Sequence, residues 1–167
     1  MKSTPMWMIC GLIAMWRLDD LRGANNYLDT NVLIYAFEGD EADNRRRRVG
    51  ALFRDLAEGR AQASASVITR TEGLARSLRE GDLPLVNWYR ELLSGRGLVE
   101  VLAVNQAIAD LAAELRAEQR SLRVPDALHL ATAIHNGCAS FVTADEKLTI
   151  ASHRIRVLLL AELEKGV

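Results

Sequence analysis

With 167 residues, of which 49% are hydrophobic and 26% charged, the chain is large enough for one domain with a single hydrophobic core. Its formal net charge of −1 argues neither for nor against nucleic-acid binding, because only the distribution of charge carries that information. The two cysteines, Cys10 and Cys138, form no CxxC motif and no zinc-ligand spacing. They exclude a disulfide framework and agree with a protein of the reducing cytoplasm.

The first 25 residues differ in pattern from the rest of the chain. Met6–Trp16 is an apolar run of 11 residues, too short to span a bilayer, and charged residues stand where a signal-peptide cleavage site should follow. Three interpretations remain open: an arm on the surface or at a membrane interface, a sequence that only mimics a signal peptide, or translated sequence upstream of the true start. We favour the last, and expect residues 1–25 to lie outside the core of a domain spanning 26–167, without stable membrane insertion.

From Asn26 onward, the spacing of apolar residues predicts strands that alternate with helices. The predicted strands are the stretch leading to Asp29, then Gln62–Ser66, Leu98–Val104, Ser140–Thr143 and Ile155–Leu160. The predicted helices cover residues 32–37, 41–58, 67–80, 82–93, 105–119 and 125–136. This alternation favours an α/β fold with a mostly parallel central sheet flanked by helices on both faces.

Asp29 is the acidic residue that is hardest to explain as part of a solvated surface. Apolar residues flank it on both sides within Asn26–Phe37. Aspartate is rarely buried unless it is paired or bound to a metal. Because α/β folds place their sites at the carboxyl ends of central strands, we expect Asp29 to lie at such an end, in a functional site.

Three further acids occupy unusual positions, although each has an ordinary structural explanation. Glu72 extends from the apolar side of a predicted helix, where a lone glutamate often reaches out to solvent. Asp126 follows Pro125 in the first turn of a helix that is apolar nearly all round, where a lone aspartate is usually a cap. Asp145 follows a strand by two residues and is able to cap the next turn.

Taken together, Asp29, Glu72, Asp126 and Asp145 favour a shared metal site. Carboxylates brought together repel one another unless a cation lies among them. Hard oxygen ligands select Mg²⁺ or Mn²⁺, and such ions support the hydrolysis of phosphodiesters. Relief of this repulsion predicts that Asp29→Asn leaves the metal-free protein as stable as the wild type or more so.

Four motifs carry a resemblance to a known family, and the resemblance as a whole runs from about Tyr27 to Leu160. They are Tyr27–Leu33, Ser66–Glu72, Pro125–Ala133 and Phe141–Asp145, in this order. At these residues the chain resembles the PIN-domain ribonucleases and, in size, the VapC-type toxins of toxin–antitoxin pairs. The N-terminal segment has no counterpart in the family, and Ala144 stands where a polar residue is common.

The resemblance implies a PIN-like three-layer sandwich and an Mg²⁺- or Mn²⁺-dependent endoribonuclease that cuts structured RNA such as tRNA or rRNA. It also implies a homodimer and a cognate antitoxin whose C-terminal segment lies across the acidic groove. The implied catalytic and metal-binding residues are Asp29, Glu72, Asp126 and Asp145, supported by Thr30, Asn31 and Thr143.

Basic residues and histidines are further candidates for the site. Clustered arginines mark phosphate-binding surfaces, although a solvated helix face or surface ion pairs explain them equally well. The candidate RNA contacts are Arg45, Arg46, Arg70 and Arg123. The histidines show no ligand spacing with one another, and we interpret His129 as structural.

Two alternatives belong to other functional classes. One is a catalytically silent PIN-fold binding module that acts through its antitoxin partner, although such a protein has no need of four acids. The other is a phosphatase of the haloacid-dehalogenase type, whose chemistry requires a second acid two residues after the first. Asn31 stands at that position and argues against it.

Overall fold

The computed structural model describes residues 15–38 and 44–163. Within them, one sheet contains β1 (Asn25–Leu28), β2 (Gln62–Ser66), β3 (Val99–Leu102), β4 (Ser140–Thr143) and β5 (Arg156–Leu159). The strands lie in the order β3-β2-β1-β4-β5, and every neighbouring pair is parallel. The strand that leads to Asp29 is therefore central, as the sequence predicted.

The helices of the described residues also follow the predicted order. They are α1 (Thr30–Phe37), α2 (Asn44–Ala57), α3 (Val67–Glu80), α4 (Leu83–Leu92), α5 (Gln106–Glu118) and α6 (Val124–His135). Short 3-10 helices cover Leu18–Leu21, Glu146–Ala151 and Leu160–Glu162. The start of the second predicted helix, residues 41–43, lies outside the described residues. In the described ranges, no helix has both the length and the apolar character needed to cross a membrane.

Alternation of side chains along the strands divides the core into two layers. Tyr27 stacks on Phe141, with ring centroids 5.1 Å apart, on the face covered by α5 and α6. Leu28 and Val142, the next residues along β1 and β4, belong to the opposite layer, into which α1, α2 and α4 pack. The three-layer α/β sandwich is confirmed.

Polar side chains at the carboxyl ends of three strands begin the helices that follow. The Asp29 carboxylate accepts a hydrogen bond from the Thr30 N–H at the start of α1. Ser66 and Asn105 accept equivalent bonds at the starts of α3 and α5. These caps satisfy N–H groups that a helix leaves unpaired. They also make the connections short, so that the first turn of each helix stays at the carboxyl edge of the sheet.

Close packing of α3 against α4 depends on Gly73. A Cβ at this position would lie 2.6 Å from the ring of Tyr89, which is buried. The Tyr89 hydroxyl donates a hydrogen bond to Glu38, just beyond the end of α1. Because Glu72 directly precedes Gly73, this packing also sets the position of the helix turn that carries Glu72.

The segment before β1 differs from the prediction that residues 1–25 lie outside the core. Trp16 is 1% exposed, and Leu21 is also part of the core. The Trp16 indole N–H donates to the Leu159 carbonyl at 2.6 Å, at the end of the edge strand β5. An edge strand exposes backbone groups and apolar surface that a neighbouring segment can cover, and Trp16 does so here. The rest of the predicted extension, residues 1–14, lies outside the described residues.

Replacing Trp16 by alanine is expected to lower the free energy of unfolding by about 3–5 kcal/mol, because a large buried side chain and its hydrogen bond are lost. Met15→Ala is the matched control, since Met15 is 56% exposed. It should change stability by no more than about 0.5 kcal/mol. Urea unfolding of both variants measures the difference, and equal effects would place Trp16 outside the core.

Candidate active site

Asp29 follows β1 directly, at the carboxyl edge of the sheet, and is 7% exposed. Its Oδ1 accepts a hydrogen bond from the Thr30 N–H at 2.7 Å. Its Oδ2 accepts from the Asn31 side-chain amide and from the Thr143 hydroxyl, each at 2.7 Å. The three residues predicted to support Asp29 thus each donate to its carboxylate, in the pattern expected of an ionised group.

Asp145 is tied to Asp29 through the same hydroxyl. The Asp145 N–H donates to Thr143 Oγ1 at 3.0 Å, and the Asp145 carboxylate accepts from the Lys147 N–H at 3.0 Å. The Ala144 N–H donates to Asn31 Oδ1 at 2.8 Å. Because Ala144 contributes its backbone here, the lack of a polar side chain at that position leaves this link intact.

Glu72 lies beside Asp29 and shares a neighbour with it. Thr30 donates its N–H to Asp29 and its hydroxyl to Glu72 Oε2. His129 Nε2 lies 3.0 Å from the same Glu72 oxygen. The Glu72 side chain is 34% exposed, so it stands where the buried network meets solvent.

Asp126 lies in the first turn of α6 and is bound by Arg123. The Arg123 Nε donates to Asp126 Oδ2 at 2.9 Å, and its Nη2 donates to Oδ1 at 3.3 Å. Arg123 and Asp126 line a cavity of about 220 Å³ together with Asp145 and Lys147. Asp126 and Asp145 therefore open into a common space.

Burial and hydrogen bonding shift the pKa values of Asp29 and Glu72 in opposite directions. Burial raises the pKa of Asp29. The nearby His129 and the hydrogen bonds from Thr143 and Thr30 act to lower it without cancelling the effect of burial, and the charge of Glu72 adds a smaller increase. Burial also acts to raise the pKa of Glu72, but its hydrogen bonds with His129 and Thr30 outweigh burial and leave that pKa lowered.

Arg123 is a positive charge that interacts with several of these acids. Its hydrogen bond to Asp126 is the largest cause of a raised guanidinium pKa, and the charges of Asp145 and Glu72 act in the same direction. Three of the four candidate acids thus lie within the electrostatic reach of one guanidinium group.

The donor set fits a hard divalent cation in chemistry, because all four candidates offer carboxylate oxygens. In the described parts of the chain, however, no three His, Cys, Asp or Glu side chains are placed to hold one ion. Arg123 engages both oxygens of Asp126, which differs from the expectation of one converged cluster. Acids without a cation repel one another, and pairing with arginine relieves part of that repulsion.

The four predicted RNA-contacting arginines are spread over different surfaces. Arg45 donates to the Tyr35 hydroxyl at 2.7 Å and covers the ring, and Arg70 donates to the Leu93 carbonyl at 2.7 Å. Arg46 lines a shallow groove along α2. Among the described contacts, Arg123 alone of these four forms a hydrogen bond with a candidate acid.

His129 contacts a candidate acid, which the sequence interpretation did not predict. It is 2% exposed, and its Nε2 lies 3.0 Å from Glu72 Oε2, whereas the sequence indicates a structural role. The sequence contains one signal for this position. His129 follows Asp126 by three residues on one helix, and residues at that spacing share a face.

The PIN domain family model matches residues 27–153, a range that includes all four candidate acids. The chain belongs to the PIN domain family. A comparison with curated proteins found no match.

Several solved structures of toxin–antitoxin proteins resemble this PIN domain protein. A toxin–antitoxin complex from Klebsiella pneumoniae has a TM-score of 0.61 and 25% identity, covering 81% of this chain and 97% of that chain. DNA-bound VapBC from Salmonella typhimurium has a TM-score of 0.61 and 20% identity, covering 82% and 98%. VapC20 from Mycobacterium tuberculosis, described as a toxin that cleaves the sarcin–ricin loop, has a TM-score of 0.59 and 18% identity, covering 75% and 94%. The last two likenesses show the fold alone.

The geometry around Asp29 changes the expected stability of Asp29→Asn. An amide has one acceptor oxygen, whereas three donors point at the Asp29 carboxylate from Thr30, Asn31 and Thr143. The amide NH₂ group must therefore face at least one donor, a mismatch that costs about 1–3 kcal/mol. We expect the metal-free variant to be less stable than the wild type.

The size of this deficit should depend on pH. Because burial raises the pKa of Asp29, the folded wild type binds more protons than the unfolded chain from about pH 4 up to the folded pKa. Wild-type stability then falls as pH rises through that window, and the variant lacks this loss. Urea unfolding in EDTA at pH 4, 5.5 and 7 should show that the difference in free energy of unfolding between wild type and Asp29→Asn becomes smaller as pH rises. A difference that grows with pH would mean that the folded state favours the ionised carboxylate.

Proposed function

We propose that this PIN domain protein is a metal-dependent endoribonuclease that cleaves structured RNA, such as tRNA or rRNA, and that it is the toxin of a toxin–antitoxin pair. One observation carries the proposal. Asp29 is buried at the end of the central strand and is joined through Thr30 to Glu72 and through Thr143 to Asp145. Membership of the PIN domain family and the resemblance to toxin–antitoxin proteins support it.

Asp29, Glu72, Asp126 and Asp145 would hold Mg²⁺ or Mn²⁺. When bound, such an ion activates water and neutralises charge on the phosphate and the leaving oxygen. Asp126, which Arg123 binds in this structure, would be available to the ion if that ion pair opened. The Arg123 guanidinium would then be able to bind a phosphate of the RNA, for which its paired N–H groups are well suited.

The hydrogen bonds favour this role over acid–base catalysis by two carboxylates. Such catalysis requires one carboxyl group to remain protonated and to donate to the substrate. The hydrogen bonds that Thr30, Asn31 and Thr143 form with the two carboxylates are all accepted by the carboxylate oxygens. Both groups are therefore arranged as anions, which is what a cation requires of its ligands.

The proposed partners are a cognate antitoxin and a second copy of this chain. The Klebsiella pneumoniae structure, at 25% identity, is a toxin–antitoxin complex, which supports an antitoxin partner for this chain. We propose that a segment of that antitoxin lies over the acidic edge and blocks RNA. The alternative is a silent PIN-fold module that acts only through the antitoxin, and the bond between Arg123 and Asp126 is the observation compatible with it.

Cleavage assays on purified protein test the proposal. With tRNA and rRNA substrates, we expect activity in Mg²⁺ or Mn²⁺, none in EDTA, and recovery when metal is restored. Asp29→Asn and Asp126→Asn should each reduce cleavage by at least about 100-fold, because loss of a ligand removes several kcal/mol of transition-state stabilisation. A double variant of Asp29 and Glu72 should lose little more than either single one.

Asp110→Asn is the matched control, since Asp110 is an exposed acid on α5 and its loss changes net charge equally. It should leave activity unchanged. Full activity in EDTA would contradict a metal-dependent site. Absence of cleavage by folded, antitoxin-free protein with either metal would favour the silent binding module.

Arg123→Gln tests the proposed phosphate contact. Binding to RNA should weaken, and the slope of log affinity against log salt should decrease by about 0.7, the value for one contact to a single strand. The fold should be unaffected, because exposed ion pairs contribute little to stability. Arg79→Gln, an exposed arginine in the last turn of α3, is the control. If the slope of log affinity against log salt is the same in both variants, Arg123 does not contact the RNA.

A further inference from the structure

A chain of buried polar groups runs from the backbone of β2 to Glu72. The Ser66 N–H donates to the Tyr27 hydroxyl oxygen at 2.9 Å. That hydroxyl lies 2.6 Å from His129 Nδ1, and His129 Nε2 lies 3.0 Å from Glu72 Oε2. Tyr27 and His129 are buried, whereas Glu72 is partly exposed, so the chain leads from the core to the surface of the acidic edge.

The hydrogen-bond partners determine where the protons lie. The Tyr27 hydroxyl oxygen already accepts from the Ser66 N–H, so the phenol, which carries its proton at neutral pH, is able to donate that proton to Nδ1. A bare Nε2 would place its lone pair against the Glu72 carboxylate, which is unfavourable. Nε2 therefore carries a proton and donates it to Glu72, while Nδ1 accepts from Tyr27.

This arrangement is more specific than the packing of a core histidine. A buried histidine needs partners for both nitrogens, and either could be a backbone carbonyl or water. Here the outward nitrogen is directed at a candidate ligand, on the oxygen that also accepts from Thr30. Among the described residues, the other oxygen, Oε1, has no hydrogen-bond partner. The two donors thus bind Glu72 Oε2 and leave Oε1 available to a ligand from outside the protein.

We propose that His129, held by Tyr27, is a positioning residue for Glu72. It fixes Glu72 Oε2 from the protein side, so that Oε1 faces the acidic edge and is available to a hard divalent cation. What Glu72 binds rests on the proposed function, whereas the contact with His129 does not. Groups that orient the ligands of metal sites typically change metal affinity by about 10–100-fold when they are removed.

Two substitutions of His129 distinguish the positioning of Glu72 from a role in core packing. The amide of His129→Gln reaches about the position of Nε2 and is able to donate to Glu72. The amide of His129→Asn reaches only about the position of Nδ1, next to Tyr27. Both variants lose the ring, so their metal-free stabilities should fall by similar amounts.

Mn²⁺ binding to each folded variant is measured by calorimetry. His129→Asn should bind about 10–100-fold more weakly than wild type, whereas His129→Gln should retain most of the affinity. The metal concentration needed for half-maximal cleavage should shift in the same order. Equal affinities in the two variants would overturn the proposal and leave His129 as a packing residue.

A test on the metal-free wild type does not depend on variants at position 129 or on activity. Nitrogen-15 NMR of the histidine side chains at pH 7 should show a protonated, slowly exchanging Nε2 on His129. Its resonance should move in Glu72→Gln and remain in place in Glu114→Gln, which changes an exposed glutamate on α5. An unprotonated Nε2, or a His129 Nε2 chemical shift that is the same in wild type and Glu72→Gln, would overturn the proposal. Failure of the wild type to bind metal or to cleave RNA would contradict the proposed function. The NMR measurement would still show whether His129 donates to Glu72.

Discussion

Burial of the Asp29 carboxylate at the end of the central strand is the constraint on which the rest of the site depends. A charged group without partners would not be tolerated there, since removing it from water costs several kcal/mol. The protein meets this demand with three donors, from Thr30, Asn31 and Thr143. Two belong to the first turn of α1, and one to the end of the neighbouring strand β4. The parallel register of β1 and β4 is what brings them together.

Each of these donors has a second contact, and these second contacts connect Asp29 to other candidate acids. Thr30 also donates to Glu72, which joins α3 to the end of β1. Thr143 also accepts from the N–H of Asp145. The carboxylate of Asp29 therefore acts as a common acceptor around which other acids are placed. Networks of this kind favour one arrangement because an unpaired member is costly in a medium of low dielectric constant.

The fold follows closely from periodicity, caps and helix-starting residues. Alternation of Tyr27 and Leu28 between the two faces requires only a strand, and Pro125 at the start of α6 requires only local geometry. Trp16 was different. An apolar run before a domain has no internal sign that one of its residues will cover an edge strand, because that edge is formed by β5, more than 140 positions later.

By itself, the sequence determined the order of strands and helices, the central place of the Asp29 strand and the four acids that distinguish the chain. Local rules suffice for these, since spacing and residue type act over a few neighbours. Only the tertiary structure decided that Arg123 binds Asp126, that Thr30 joins Asp29 to Glu72 and that His129 faces Glu72 rather than only the core. The contacts of Glu72 with Thr30 and His129 join residues on different elements, far apart in the chain. Their geometry depends on how three helices meet one sheet edge, which no short stretch of sequence encodes.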